Sequence, residues 1–216
     1  MTLDIRDTRR STAAGLALLA LAACGPGYQP DVPQGGGEAE AAAAGGATAI
    51  FAGGCFWCTE SDFEKVPGVT KAVSGYTGGT TANPTYEAVS AGGTGHYEAV
   101  RISYDPAKIS YAQLAAYYFR TVDPIDAGGQ FCDRGESYRT AIFVAGDAER
   151  QAAEAAKAKA QATLGQPIAT PILPAVAFTD AEGYHQDYYK TNSLKYKYYR
   201  SSCGRDARLK ELWDGK

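Results

Sequence analysis

The chain is short of metal ligands. It carries two histidines in 216 residues, and its cysteines offer a single C-x-x-C pair, Cys55 and Cys58. Structural zinc is usually held by four nitrogen or sulfur ligands, so no metal site is expected. Nor is there an excess of positive charge. The 21 Lys and Arg residues stand against 24 Asp and Glu, a net charge of −3 with a pI near 5.5. That balance gives no basic surface for nucleic acid, and no acidic block marks a solvating tail. No apolar run reaches the about 20 residues that a membrane-spanning helix needs. Cysteine is sparse and odd in number: Cys24, Cys55, Cys58, Cys132 and Cys203. Their uneven spacing is unlike a disulfide scaffold. With Cys24 set aside, the remainder can pair in three ways, and spacing does not choose among them.

What is present points to one packed domain with appendages. Hydrophobic residues make up 45% and charged residues 21%. The length suits a single good-sized domain, and a monomer is expected. Tyrosine is abundant at 15 copies, which suits pockets that need an apolar body with a polar tip, and equally suits half-exposed surfaces.

The N-terminus reads as an address. Arg6, Arg9 and Arg10 precede an apolar run from Thr12 to Ala23 of the size of a signal-peptide core. The run ends in Leu21-Ala22-Ala23-Cys24, which resembles the lipobox of bacterial lipoproteins, in which the cysteine is lipidated. The alternative is an ordinary cleavable signal with a chance cysteine. Residues 1–23 are thus expected to be a signal peptide. Residues 24–48, rich in Gly, Pro and Ala, are expected to be a lipidated flexible tether holding the domain roughly 25–30 Å from its anchor. The expected location is outside the cytoplasm, on a membrane facing the periplasm, with the outer membrane favoured.

The folded domain is expected over residues 49–216. Thr48–Ala52 reads as a short buried strand ending in Gly53-Gly54. A helix follows from near Phe56 to Val66, stopped by Pro67-Gly68. Val69–Tyr76 and the alternating Tyr97–Tyr104 read as strands, separated by a long polar loop from Thr77 to Gly95. Ser110 starts a helix with Gln113 placed for a capping box, and Gly128–Glu136 is a second polar loop. Arg139–Ala145 is a strand, Asp147 caps an Ala-rich helix ending at Gly165, and Val176–Phe178 is a last strand before a Tyr/Lys-rich tail. The elements mix without strict βαβ alternation. This predicts an α+β fold, a two-layer α/β sandwich around one mixed sheet and ferredoxin-like in character.

Cys55 is the centre of the chemical argument. It follows a strand and two glycines and precedes a helix, whose free N–H groups and dipole favour a thiolate. A lowered pKa and a nucleophilic sulfur are expected, against the alternative of a buried structural cysteine. Phe56 and Trp57 are either core aromatics or walls of an apolar pocket at the nucleophile. Cys58 suggests a thioredoxin-like redox pair, although the bulky Phe-Trp insert and the motif's place after one short strand do not match that context. In the strand Tyr97–Tyr104, alternation puts Glu98 on the face of Val100, Ile102 and Tyr104. A carboxylate on an apolar face is desolvated, its pKa rises, and it can act as a general acid near neutral pH. The alternative is that the strand's start opens to solvent. Gln130–Gly135 with Tyr138 is a candidate binding loop, and His96 and His185 read as structural.

Gly54-Cys55-Phe56-Trp57 resembles the signature of the A-type peptide methionine sulfoxide reductases. Gly75-Tyr76-Thr77-Gly78-Gly79, Asn83-Pro84-Thr85-Tyr86, Thr94-Gly95-His96, Glu98-Ala99-Val100, Tyr104-Asp105-Pro106, Asp123-Pro124, Gly129-Gln130, Asp133-Arg134-Gly135, Tyr138-Arg139 and Tyr184-His185-Gln186 follow in that family's order. The resemblance spans Ile50 to about Trp213. It implies that Cys55 is the nucleophile and Glu98 the acid that protonates the sulfoxide oxygen. It implies further that Tyr86 and Tyr138 hold that oxygen, that Asp133 lines the pocket, and that Phe56 and Trp57 cage the methyl group. The implied substrate is the S epimer of methionine sulfoxide, in oxidised proteins or free. The implied reductant is external, a thioredoxin-like donor or dithiothreitol, with no cofactor. The resemblance leaves the resolving thiol between Cys203, first, and Cys58, second, with Cys132 in the pocket loop.

Overall fold

The computed structural model describes residues 46–216; the expected signal peptide, Cys24 and most of the tether lie outside them. Along the chain run β1 (Ala47–Gly53), α1 (Phe56–Phe63), β2 (Val69–Thr77), α2 (Tyr86–Ala91), β3 (Tyr97–Tyr104) and α3 (Tyr111–Thr121). A small hairpin of β4 (Gly129–Gln130) and β5 (Asp133–Arg134) follows, then β6 (Thr140–Val144), α4 (Asp147–Leu164), β7 (Ile172–Pro174) and β8 (Phe178–Asp180). Three helices close the chain: α5 (Tyr188–Thr191), α6 (Ser193–Ser202) and α7 (Arg205–Trp213).

The main sheet has the order β7-β6-β1-β3-β2-β8. Its four central strands are antiparallel and β7 joins β6 in parallel, so the sheet is mixed. The order β6-β1-β3-β2 is the ferredoxin-like one, and the α+β expectation holds. Even-numbered residues of β3 (Val100, Ile102, Tyr104) share one core with Phe51, Ile142 and side chains of α1, α3, α4 and α7. Odd-numbered Tyr97 and Ala99 pack on the other face with Ala52, Ala141 and Phe143. Period-two alternation therefore sends Glu98 to the helical side.

Local signals held where they were chemical. Ser110 and Gln113 form the reciprocal capping box, and Gly165 ends α4 in the left-handed conformation at φ 67°. Other boundaries differ. The long loop contains α2, capped by Thr85, whose hydroxyl accepts from the Ala88 N–H. Gly146, not Asp147, caps α4, and Asp147 sits in its first turn, where its charge favours the dipole. In place of one strand at Val176–Phe178 there are β7 and β8 on opposite sheet edges. The Tyr/Lys-rich tail is helical and wraps back over the start of α1 through α5 and α6.

Candidate active site

The chain leaving β1 must turn sharply, and two glycines permit it. Gly54 has φ +79°, and a Cβ there would lie 2.5 Å from the Gln130 Cβ. The turn delivers Cys55 to the N-cap of α1, where its carbonyl accepts from the Cys58 and Thr59 N–H groups at 3.1 and 3.3 Å. β1 pairs with β3 as far as Phe51 opposite Val100, so the turn occurs at the level of Glu98. Glu98 also faces Tyr76 of β2. The Phe56 N–H donates to Glu98 Oε2 at 3.0 Å. A carboxyl group thus takes the first free N–H of α1 and lies beside the thiol.

Burial governs the protonation of this pair. Glu98 is 2% exposed. Desolvation raises its pKa to about 8 even though the Phe56 N–H pulls the other way, so the carboxyl is protonated at neutral pH. Cys55 departs from expectation. Its pKa is raised, first by burial and then by the neighbouring Cys58 and Glu98, and only the Tyr199 hydroxyl opposes the rise. The physical reason is that the helix N–H expected to stabilise its thiolate is bonded to Glu98, and burial favours the neutral thiol. Cys58, one turn on and equally buried, has its pKa lowered, chiefly by the hydrogen bond from Cys55 and then by Arg205 and Arg200. Both thiols are free, and of the two Cys58 loses its proton first.

The thiol and the acid open onto a pocket of roughly 290 Å³, lined besides by Phe56, Trp57, Tyr86, Tyr138, Asp133 and Tyr199. The structure therefore brings together Cys55, Glu98 and every pocket residue expected from the sequence. Tyr86 and Tyr138 both face the pocket, and burial raises both their pKa values, so both hydroxyls keep their protons. The lining combines aromatic rings with hydroxyls and an acid, a match for a group apolar at one end and strongly accepting at the other.

Tyr199, on α6, was missed. Its hydroxyl reaches Cys55 and donates to Asp133 Oδ2. A signal existed: Tyr196, Tyr199 and Cys203 recur at helical spacing in the tail. His96 is structural as expected, its Nδ1 accepting from the Gly79 N–H. His185 is not merely structural in place; it sits behind the pocket wall against Trp57 and Tyr86.

The family model described as peptide methionine sulfoxide reductase matches residues 47–216. The chain is 57% identical over 169 residues to a peptide methionine sulfoxide reductase MsrA 2 of Caulobacter vibrioides, covering 78% of this chain and 86% of that one. It is 54% identical over 165 residues to an MsrA 2 of Rhizobium meliloti, covering 76% and 82%. Among solved structures, reduced Mxr1 of Saccharomyces cerevisiae superposes with a TM-score of 0.67 at 32% identity, covering 70% of this chain and 88% of that one. This chain belongs to the peptide methionine sulfoxide reductase family.

The other two cysteines among the described residues of this reductase lie beside Asp133 of its pocket and at the end of α6. Cys203, at the C-terminal cap of α6, is bonded to Cys132 in the loop between β4 and β5. Cys132 is exposed and Cys203 partly so, whereas Cys55 and Cys58 are buried. The family resemblance ranked Cys203 ahead of Cys58 as partner of Cys55; the fold sets Cys58 against Cys55 and gives Cys203 to Cys132. Two groups of metal-ligand type occur among the described residues. In Cys132, Asp133 and Cys203 the sulfurs are spent on each other. In Glu60, Glu64 and Asp187 the Lys190 ammonium pairs with Glu64 and Asp187.

Proposed function

We propose that this reductase turns over methionine S-sulfoxide with Cys55 as nucleophile and Glu98 as general acid. The observation that carries the reading is a buried carboxyl, held by the Phe56 N–H, lining one pocket with a buried thiol. A sulfoxide sulfur is a poor electrophile until its oxygen takes a proton. Phe56 and Trp57 receive the methyl group, and Tyr86 and Tyr138 donate to the oxygen while Glu98 Oε1 transfers its proton. The Cys55 sulfur attacks as its own proton passes towards the Cys58 sulfur. In sum, thiol and sulfoxide become Cys55 sulfenic acid and methionine. Tyr199 and Asp133 orient the thiol.

The sulfenic acid then condenses with the Cys58 thiol, releasing water and forming a Cys55–Cys58 disulfide. The order of resolving thiols expected from the sequence is thereby reversed. Cys132–Cys203 is the disulfide that an external dithiol can reach. We assign it to the exit path, where two successive thiol exchanges carry a pair of electrons from a thioredoxin-like donor to the buried pair. The test offers the purified chain both epimers of a methionine sulfoxide peptide with dithiothreitol. Methionine should appear from the S epimer alone and not with Cys55→Ser; release by that variant would sink the reading.

The same proposal places the enzyme on a membrane facing the periplasm, the outer membrane favoured, through lipid on Cys24. Its support is the signal-like run and Leu21–Cys24 motif in residues 1–24. Oxidised envelope proteins are then its substrates. Radiolabelled palmitate should enter the wild-type chain and not Cys24→Ser; equal labelling of both overturns the anchor.

A further inference from the structure

The pocket wall has a support that the reaction scheme does not use. Trp57 Nε1 donates to His185 Nδ1 at 3.1 Å. An indole nitrogen can only donate, so Nδ1 must present its lone pair and the ring proton must sit on Nε2. That Nε2 has no hydrogen-bond partner among the described residues and lies 3.9 Å from Glu182 Oε2. His185 is 2% exposed, and its burial favours the neutral ring.

Its neighbours leave the imidazole little freedom. Ring centroids of Tyr184, Tyr86 and Phe56 lie 4.2, 4.4 and 5.0 Å away. Glu182 is itself pinned, accepting from the Tyr76 hydroxyl at 2.8 Å and the Tyr86 N–H at 2.9 Å. The indole is fixed equally well. It stacks on Tyr188 at 3.8 Å and 8°, and meets Tyr199 edge-on at 5.8 Å. Its single polar atom is turned onto His185. An indole without that acceptor would leave its N–H unsatisfied in the wall or would turn it elsewhere.

We propose that His185 is a positioning residue for sulfoxide binding: by accepting the Trp57 N–H it holds the indole as a wholly apolar wall, and so sets the preference of the pocket for a methyl group on sulfur. The proposal rests on the assignment of Trp57 to the methyl cage. It gives the histidine of the Tyr184-His185-Gln186 segment a part in specificity without contact to the reacting atoms.

The experiment measures KM and kcat for the S-sulfoxides of methionine and of its S-ethyl analogue, with dithiothreitol in excess. His185→Phe, which keeps a flat ring and removes the acceptor, should raise KM for the methyl substrate roughly three- to tenfold with the effect on kcat smaller, and narrow the methyl-to-ethyl preference. His185→Asn, whose carbonyl can occupy the place of Nδ1, should restore most of both. In a Trp57→Phe background, replacing His185 should change KM no further. If His185→Phe does not fold, His185→Gln, whose amide extends to the Nε2 position instead, should fail where Asn succeeds. The proposal is overturned if His185→Phe keeps the wild-type KM, if Asn does no better than Phe or Gln, or if the penalty persists without the indole. Should Trp57→Phe alone leave KM untouched, the cage assignment falls and this inference with it. Should Trp57→Phe raise KM while His185→Phe does not, only the inference falls.

Discussion

Glu98 must hold a proton to give one away, and burial supplies it. Its pKa of about 8 leaves the acid form dominant below that pH. The first turnover should therefore be fastest on the acid side and slow as pH rises through about 8, once Cys55 ionisation is separated by using Glu98→Gln as the reference. That variant keeps the shape, loses the transferable proton, and should slow methionine release in a rapid-quench single turnover by about 10²–10⁴-fold. A loss under threefold would remove Glu98 from the chemistry. Cys58→Ser addresses the other thiol. It should still yield close to one methionine per enzyme and then stall with peptide or thioredoxin-type reductants, with sulfenic acid on Cys55 trappable by dimedone. Undiminished steady-state turnover would return the resolving role to Cys203. At this scale much was legible. The two glycines located Cys55, and alternation in Tyr97–Tyr104 put Glu98 on the apolar face. The thiol's electrostatics were not legible, because the residue that captures the Phe56 N–H lies 42 positions away.

Elements bring the pocket's far wall into place. Two links tie the β4–β5 hairpin to α6: Asp133 accepts from Tyr199, and Cys132, the residue before Asp133, bonds to Cys203, one turn further along the helix. Reduction of the disulfide frees a loop of 71 residues in the unfolded chain and should cost about 2–4 kcal/mol. Scanning calorimetry with and without a phosphine reductant should then show a melting temperature lower by about 5–15 °C. The Cys132→Ser/Cys203→Ser double variant should melt low in both conditions. Under the exit-path assignment that double variant should also keep turnover with dithiothreitol, a small dithiol, and lose most of it with a protein dithiol donor. Equal turnover with both donors would make the bond purely structural. Helices with their own chemistry were readable: Ser110 with Gln113 fixed one start and Gly165 one end. α2 and α5 were not, since helices of 6 and 4 residues cannot persist alone and are held by tertiary contacts. The Tyr86 N–H bonded to Glu182 is one such contact.

For the whole molecule, the buried acids link function to stability. Glu60, under the C-terminal helices, accepts from the Asp187 N–H and the Ser74 hydroxyl at 3.1 Å each. Its pKa is raised to about 7, mainly by burial, and that of Glu98 to about 8. Both start from 4.5 in an open chain. Between these values the folded protein holds protons that the unfolded chain has released, so the slope of unfolding free energy against pH is negative. The stabilisation from both groups is complete below about pH 4.5 and lost as pH climbs through about 7 and then 8. The other groups add their own slopes, so the clean measurement is a difference. Glu98→Gln keeps the volume and removes one titration, and its melting temperature relative to wild type should rise steadily between pH 5 and pH 9. Each ~1 kcal/mol appears as about 2–4 °C in a domain of this size. A difference that stays flat across that range would mean Glu98 is ionised in the folded enzyme at neutral pH. A charged carboxylate could not supply the proton, and the assigned mechanism would need another acid.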